Sequence, residues 1–436
     1  MRRLYEDAAY APQTGAFWAD TVAPLDWPAV QCDQHCDVAV IGGGFTGLNA
    51  ALTLARAGRH VRLLEAEHPG WGASGRNGGF CCLGGALVSG EMLARQHGES
   101  AAQKWHGTER AAIDHVLHTL GGRDADVHSD GETILAHSAR AWRGLQADVD
   151  QIAATYGVSP KVHAPNDLAS AGMSGPWHGG VTIPLGRALN PRKYHSHLAS
   201  DARAAGVDLH ANSPVTQLSR GTQWQLTTPT GTITARQVVL ATNGYSAENL
   251  PDWLRARTLP VQSTVIVTRP LSAAEQQAAG WTSAQMAYDT RRLLHYFRKL
   301  PDGRFLFGMR GGLSASPQEQ ASIAARIRHD FHSLFPDWRD VEITHEWSGL
   351  VCLMRSGHPF CGPMPGHDGL FGALGFHGNG VAMGSYLGHC IAQHMLGTPV
   401  TGLPAFLAAP PKRFPLGRHR RHLLRPAYWL ADRFDL

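Results

Sequence analysis

The chain lacks a long hydrophobic run. No stretch of about 18 apolar residues occurs, so no segment is expected to cross a bilayer as a helix. The opening MRRLYEDAAYAPQTGAFWAD has two arginines but no apolar core, which argues against a secretory signal. Net charge is also small, formally +4 over 436 residues. A nucleic-acid partner would call for basic residues gathered on one face, so none is expected. Cysteines number seven, odd and irregularly spaced, which excludes a disulfide framework and points to a reducing, cytoplasmic setting. Histidine is plentiful at 25, but ligand spacing is missing. His195-x-His197 and His419-x-x-His422 stand without partners, and His345-Glu346 is not followed by the second histidine of a zinc helix. No metal is expected. There is no G-x-S-x-G, no P-loop and no internal repeat.

What the chain has in quantity is glycine, 49 residues, within a composition that is 43% hydrophobic. That suits two or more intertwined globular domains. The most informative stretch is CDVAVIGGGFTGLNAALTLARAGRHVRLLEAE, residues 36 to 67. It reads as buried strand, glycine turn, helix, strand and acid. Gly42 permits the tight turn, Gly44 lets backbone approach a pyrophosphate, and Gly47 lets the helix pack on its strand. The helix N-terminus at Phe45 and Thr46 offers free N–H groups and a positive dipole end. Glu65, followed by Ala66, ends the second strand, where a carboxylate can accept bonds from ribose hydroxyls. A dinucleotide site is expected, and this unit alone does not say which dinucleotide.

Residues 1–36 are rich in proline and aromatics and read as an arm over the core. Helical patterns run from 91 to 120, around 140 to 156 and around 318 to 335. Asn190-Pro191 opens another helix. TQWQLTTPTGTITARQVVLATN reads as a hairpin feeding a buried strand, and residues 258 to 310 are mostly strands. GLFGALGFHGNGVAMG reads as strand, glycine turn and the start of a long helix. The basic, aromatic C-terminus fits a tail packed on the domain better than one lying on an anionic membrane. Dinucleotide-type pieces thus recur near residues 40, 240 and 375. If they serve one cofactor, its domain is discontinuous.

Four further stretches, GWGASGRNGGF, NP before a helix, VVLATNGYS and GFHGNGVAMG, complete a resemblance. In combination and order they resemble the FAD-dependent amine and amino-acid oxidase family, which includes D-amino-acid oxidase, glycine oxidase and sarcosine oxidase. The Gly-Ala-Ser-Gly-Arg-Asn-Gly-Gly loop is similar to that of gamma-glutamylputrescine oxidoreductase-like proteins. The resemblance spans roughly residues 5 to 400. It implies an α/β fold with FAD as cofactor: a discontinuous Rossmann-like FAD-binding domain plus a mixed β-sheet substrate domain. The expected FAD segments are 37–105, 180–250 and 345–400, with 106–179 and 251–344 as the substrate domain and 401–436 as a tail. The implied activity is oxidation of a C–N bond in a small amine or N-substituted amino acid, a gamma-glutamylated polyamine among the options. Hydride passes to the flavin, and oxygen is the expected acceptor. Two alternatives stay open: a dehydrogenase feeding a quinone or electron-transfer protein, and a non-catalytic FAD-binding subunit or redox sensor. The oligomeric state is not legible.

The expected cofactor contacts extend beyond the first turn. Gly72, Ala73, Ser74, Arg76, Asn77, Gly78 and Gly79 form a loop able to wrap a pyrophosphate and ribityl chain. Arg76 either meets phosphate or a substrate carboxylate, or pairs with an acid and braces the loop. Val215, Ala241, Thr242 and Gly244 are expected at the adenosine half. Gly378, Asn379, Gly380, Val381 and Ala382 precede the last helix, whose N-terminus would stabilise negative charge on reduced flavin. His377 either donates into the active site or caps its turn. Cys352 lies where sarcosine-oxidase-like relatives hold FAD covalently, against the commoner role of a small buried hydrophobe. Tyr296, Trp347, Arg310, Arg355 and His345 are candidates to cover the flavin, each with a structural alternative as core, surface or ion-paired residue.

Overall fold

The computed structural model describes residues 3–11 and 15–434. Two eight-stranded sheets organise it. In the first, the strand order is Phe360–Pro363, Leu370–Leu374, Gly231–Leu240, Gln34–Ile41, Val61–Leu64 and Asp208–His210. The strands from Leu370–Leu374 to Asp208–His210 run parallel to one another. Trp224–Thr228 and Gln217–Arg220 extend Gly231–Leu240 as an antiparallel hairpin.

A parallel strand is covered on both faces, and the central one shows why its sequence is continuously apolar. Val38 and Val40 pack on one side with Leu48, Leu52 and Leu387, whereas Ala39 and Ile41 pack on the other with Leu64, Val238 and Leu240. Helices Phe45–Arg56, Glu99–Leu120, Pro191–Ala204 and Ala382–Met395 build the first of these layers. Asn190 caps its helix by accepting from the backbone N–H groups of Arg192 and Lys193, with Pro191 in the first turn.

The second sheet runs Ile343–Met354, Thr258–Thr268, Phe305–Arg310, His295–Lys299, Met286–Asp289, Glu132–Leu135, Gly180–Ile183 and Lys161–His163. Every pairing is antiparallel except Met286–Asp289 with Glu132–Leu135. Its two faces differ sharply. Phe297, Phe305 and Phe307 pack with Phe331, Phe335 and Trp338 under helix Pro317–Leu334. The opposite face carries Ser263, Tyr288, Tyr296 and Arg310, which line a cavity. Tyr296 lies opposite Gly308, where a Cβ would come within 2.2 Å of the Tyr296 ring, so the glycine lets the ring lie flat across the sheet.

Two strands and one helix depart from the expected segments. Gly180–Ile183 and residues 345–354 of strand Ile343–Met354 were expected with the first unit but pair in the second sheet. Helix Glu99–Leu120, expected to divide at residue 105, packs whole against the first unit through Ile113, Val116 and Leu120. Pairing partners lie far away in sequence, so local pattern finds a strand without assigning its sheet. The helical stretch expected over 91 to 120 is two helices, Gly90–His97 and Glu99–Leu120, and the one around 140 to 156 is likewise two, Ala139–Ala147 and Val149–Tyr156.

The N-terminal segment lies across both units. Phe17 and Trp18 pack on Val265, Val267 and Trp347, and Tyr5 and Tyr10 pack with Trp71 and Leu350. The C-terminal region is tied to it: Arg421 forms a two-pronged bond with Glu6. Arg420 is fully buried and ion-paired to Glu248. Among the described residues, no helix is long and apolar enough to cross a membrane.

Candidate functional site

Strand Gln34–Ile41 ends in a turn that only glycine can make. Gly42 has φ +109°, and a Cβ there would come within 2.8 Å of the Ala241 carbonyl oxygen. A Cβ on Gly47 would lie 1.9 Å from the Gly42 carbonyl, so helix Phe45–Arg56 can start this close to its strand only because Gly47 has no side chain. Two backbone N–H groups at this start are already directed: Gly43 donates to Glu65 Oε2 at 2.8 Å and Phe45 to Ser74 Oγ at 2.9 Å. Glu65 also accepts from the Glu67 N–H at 3.1 Å. Burial pushes the Glu65 carboxyl up despite those bonds.

These groups open onto a cavity of about 180 Å3. Of the expected cofactor residues, Gly42, Gly44, Phe45, Thr46, Glu65, Ala66, Gly72, Ala73, Ser74 and Asn77 line it. So do Val215, Ala241, Thr242, Gly378, Gly380 and Val381, together with Cys352. The three distant glycine turns therefore meet at one cavity. Arg3 also lines it, with its guanidinium stacked 4.3 Å from the Tyr10 ring centroid.

A second cavity, of about 420 Å3, adjoins the first and shares Ala73, Asn77, Leu350, Val351, Gly378 and Val381 with it. Arg76, Gly78, Asn379, His377, Tyr296 and Arg310 face this second space. Arg310 donates to the His377 carbonyl at 3.1 Å, and burial depresses its pKa. No carboxylate pairs with Arg310 among the described residues. Tyr296 Oη lies 2.9 Å from Ser263 Oγ. His377 is held at φ +51° and is 3% exposed. Burial first, then the Arg310 charge, pulls its pKa down to about 3, so the ring is neutral. Neither ring nitrogen of His377 nor Oδ1 of Asn379 has a hydrogen-bond partner among the described residues.

The residues carrying those unmatched atoms flank Gly378, which lines both cavities, and helix Ala382–Met395 begins beside them, its N-cap Val381 lining both spaces. A Cβ on Gly380 would meet nothing within 4 Å. Open backbone, unsatisfied donors and acceptors, a helix N-terminus and an acid at the far strand end fit a dinucleotide with an electron-accepting ring at the junction.

Other expected residues support the site from behind. Gly47 and Ala382 are packing positions, and Gly79, at φ +75°, would strike the Leu189 carbonyl if it carried a Cβ. Gly244 packs against Leu350. Arg76 lines the second cavity, but it also braces the loop, donating to the carbonyls of Trp71 at 2.6 Å and Ser348 at 3.3 Å. Its guanidinium stacks on Trp71, 4.5 Å from the ring centroid, rather than pairing with an acid.

Three candidates fall away from the cavities. Trp347 is 3% exposed and spends its N–H on the Arg76 carbonyl at 2.7 Å, edge-on to Trp18. Arg355 follows the end of its strand, is exposed, and donates to the Arg413 carbonyl at 2.8 Å. His345 contacts Asp20 and packs on Phe17. Cys352 reaches the wall of the first cavity, but burial pushes its thiol up to about 12, which disfavours the thiolate.

The residues missed by sequence reasoning are Tyr245, Arg298, Ser263, Tyr288 and Arg3. Tyr245 stands directly after the expected Gly244, and its hydroxyl accepts from the Leu350 N–H at 3.2 Å. Arg298, fully buried, holds the carbonyls of Gly78 and Leu189 at 3.0 and 2.7 Å. The last three carry no local signal. Among the described residues, no group of three or more His, Cys, Asp or Glu side chains is placed to hold a metal ion.

Comparison with known proteins agrees with this geometry. The family described as DAO, FAD dependent oxidoreductase, matches residues 37–394. A probable oxidoreductase OrdL of Rhizobium meliloti (strain 1021) is 32% identical over 431 residues, covering 96% of this chain and 98% of its own. Gamma-glutamylputrescine oxidoreductase of Escherichia coli (strain K12) is 27% identical over 415 residues, covering 92% and 93%. The crystal structure of glycine oxidase from Geobacillus kaustophilus shares the fold, with a TM-score of 0.70 at 20% identity, over 86% of this chain and 98% of that one. The chain belongs to the DAO family of FAD-dependent oxidoreductases and is an enzyme of the amine and amino-acid oxidase type.

Proposed function

We propose that the enzyme oxidises the C–N bond of a small amine or N-substituted amino acid bearing a carboxylate, with oxygen as the final acceptor and hydrogen peroxide as product. The observation that carries this reading is Arg310, a half-buried guanidinium with no acid partner among the described residues, facing the 420 Å3 cavity beside the dinucleotide site. A partly desolvated cation without a counter-ion is disfavoured, and a substrate carboxylate would supply one. On this reading the first sheet and its helices hold the cofactor, and the second sheet covers the substrate.

Bound FAD supplies the acceptor for the hydride that leaves the substrate α carbon. The chain's own residues do the rest. Arg310, steadied by the His377 carbonyl, grips the carboxylate. Tyr296, held by Ser263, walls the cavity and excludes water. Neutral His377 and the N-terminus of helix Ala382–Met395 offer donors and a positive dipole end to negative charge developing at the junction. Loss of hydride from carbon and of a proton from nitrogen leaves an imine, which water splits to a carbonyl compound and an amine.

The test is anaerobic mixing of the yellow protein with a panel of amines that includes gamma-glutamylputrescine, glycine, sarcosine and their counterparts without the carboxylate. Bleaching by the carboxylate-bearing members is expected, followed by oxygen uptake and peroxide release on aeration. Bleaching without peroxide would mark a dehydrogenase, and no bleaching by any amine would overturn the reading.

A further inference from the structure

We propose that Tyr288 and Glu132 form the route by which a protonated amine substrate loses its proton on entering the cavity. The proposal rests on the amine reading above. An aliphatic amine in water near pH 7 is almost entirely an ammonium ion, since its pKa lies near that of lysine, about 10.4. Its nitrogen must be neutral before its lone pair can form the C=N bond. A proton acceptor at the cavity is therefore required.

Most groups on the cavity wall are unsuited to that task. Arg76 and Arg310 are cations. His377 is a weak base beside Arg310. The Tyr296 hydroxyl is engaged with Ser263. Burial raises the Cys82 thiol.

Tyr288 differs. It lies directly opposite Tyr296 on the neighbouring strand, so both rings face the cavity. Its hydroxyl donates to Glu132 Oε1 at 2.7 Å. Glu132 is 1% exposed, and its other oxygen accepts from the Leu83 N–H at 2.7 Å. No cation pairs with Glu132 among the described residues. It is a buried carboxyl whose one side-chain link is a phenol on the substrate wall.

The surroundings suit a proton acceptor. Tyr288 faces Glu132 from its own sheet, and Cys81, at the end of strand Phe80–Cys81, and the following Cys82 lie close enough to feel its charge. From helix Glu99–Leu120 comes Glu109, whose carboxylate is bonded by Tyr156 Oη at 2.8 Å and His106 Nδ1 at 3.1 Å. Burial, with a smaller push from the Glu109 charge, raises the Glu132 carboxyl to about 7. That value matches the pH at which a general base is most effective.

The transfer balances without redox change. A substrate N–H bond breaks and its proton bonds to Tyr288 Oη, while the phenolic proton moves to Glu132 Oε1. The products are a neutral amine, an unchanged phenol and a protonated Glu132. Tyr288 touches substrate and is catalytic in this sense, whereas Glu132 acts through it.

The test uses full-length, FAD-loaded protein and an amine that reduces the wild type. Stopped-flow flavin reduction is followed anaerobically from pH 5.5 to 9 in wild type, Glu132→Gln and Tyr288→Phe. The wild-type rate is expected to rise through an ionisation near 7. In both variants that ionisation disappears and the rate at pH 7 falls about a hundredfold. The gap narrows at higher pH, where the amine arrives neutral. An infrared carboxylic-acid band that titrates near neutrality in the wild type is expected to be missing in Glu132→Gln. Wild-type-like profiles in either near-isosteric variant, or no such infrared band, overturn this proposal alone. A wild type that no amine reduces overturns it together with the amine reading.

Discussion

Replacing Arg310 with methionine separates substrate binding from catalysis. Methionine keeps much of the stem volume beside Gly378, where a Cβ would lie only 2.4 Å from Arg310 Nη2. It removes the charge and the bond to the His377 carbonyl. A hydrogen bond to a charged group contributes about 1.5–3 kcal/mol, which corresponds to a loss of roughly 10- to 150-fold in kcat/KM. The substrate carboxylate keeps its charge throughout the reaction, so the contact stabilises ground and transition states alike. Most of the loss should then appear in KM, with kcat falling less than about tenfold. The assay compares a carboxylate-bearing amine with its homologue lacking that group. The homologue should lose little. Arg310→Lys should recover only part of the affinity, because an ammonium lacks the planar fork. Equal losses for both substrates, or none for the acid, would refute the assignment of Arg310 to the carboxylate.

Further expectations follow from other parts of the structure. Gly47→Ala places a Cβ 1.9 Å from the Gly42 carbonyl and should lower the FAD content of purified protein at least about tenfold; Gly107→Ala, which meets nothing within 4 Å, should leave it unchanged. Arg3→Ala removes a cation lining the dinucleotide cavity and should weaken FAD binding to the apoprotein about tenfold, measured by fluorescence quenching, with a shallower dependence on salt. Acid precipitation of the wild type should release its FAD into the supernatant, because the buried Cys352 thiol is held at about 12; colour retained in the pellet and lost in Cys352→Ala would show covalent attachment. His115 is pulled from 6.5 to about 4 by burial and then by His389, so its neutral form favours the fold. That contribution is complete above pH 6.5 and is lost as pH falls toward 4; the stability advantage of wild type over His115→Gln, read from denaturant midpoints, should shrink over that window.

The parts legible in the sequence are those that depend on near neighbours. Gly42, Gly44, Gly47 and Glu65 lie within one strand–helix–strand unit, and each has a steric or polar reason that local spacing reveals. The helix cap at Asn190 is legible for the same reason. Arg310 and Arg355 show the limit. Both stand at strand ends and read alike in sequence, yet one faces a cavity and the other meets the Arg413 carbonyl. Trp347 was equally ambiguous, and its N–H is consumed by Arg76. Glu132 and Tyr288 are 156 residues apart in the chain, and only the parallel pairing of their strands brings them together. Gly180–Ile183 was expected in the FAD segments and pairs instead in the second sheet, because hydrogen-bond partners at long range leave no local mark.

The most direct measurement is an anaerobic titration of the purified protein with a carboxylate-bearing amine, following flavin absorbance against protein concentration. One FAD per chain, bleached by one equivalent of substrate, is the predicted result. A chain that binds no FAD, or one whose flavin stays oxidised with every amine, would contradict the account.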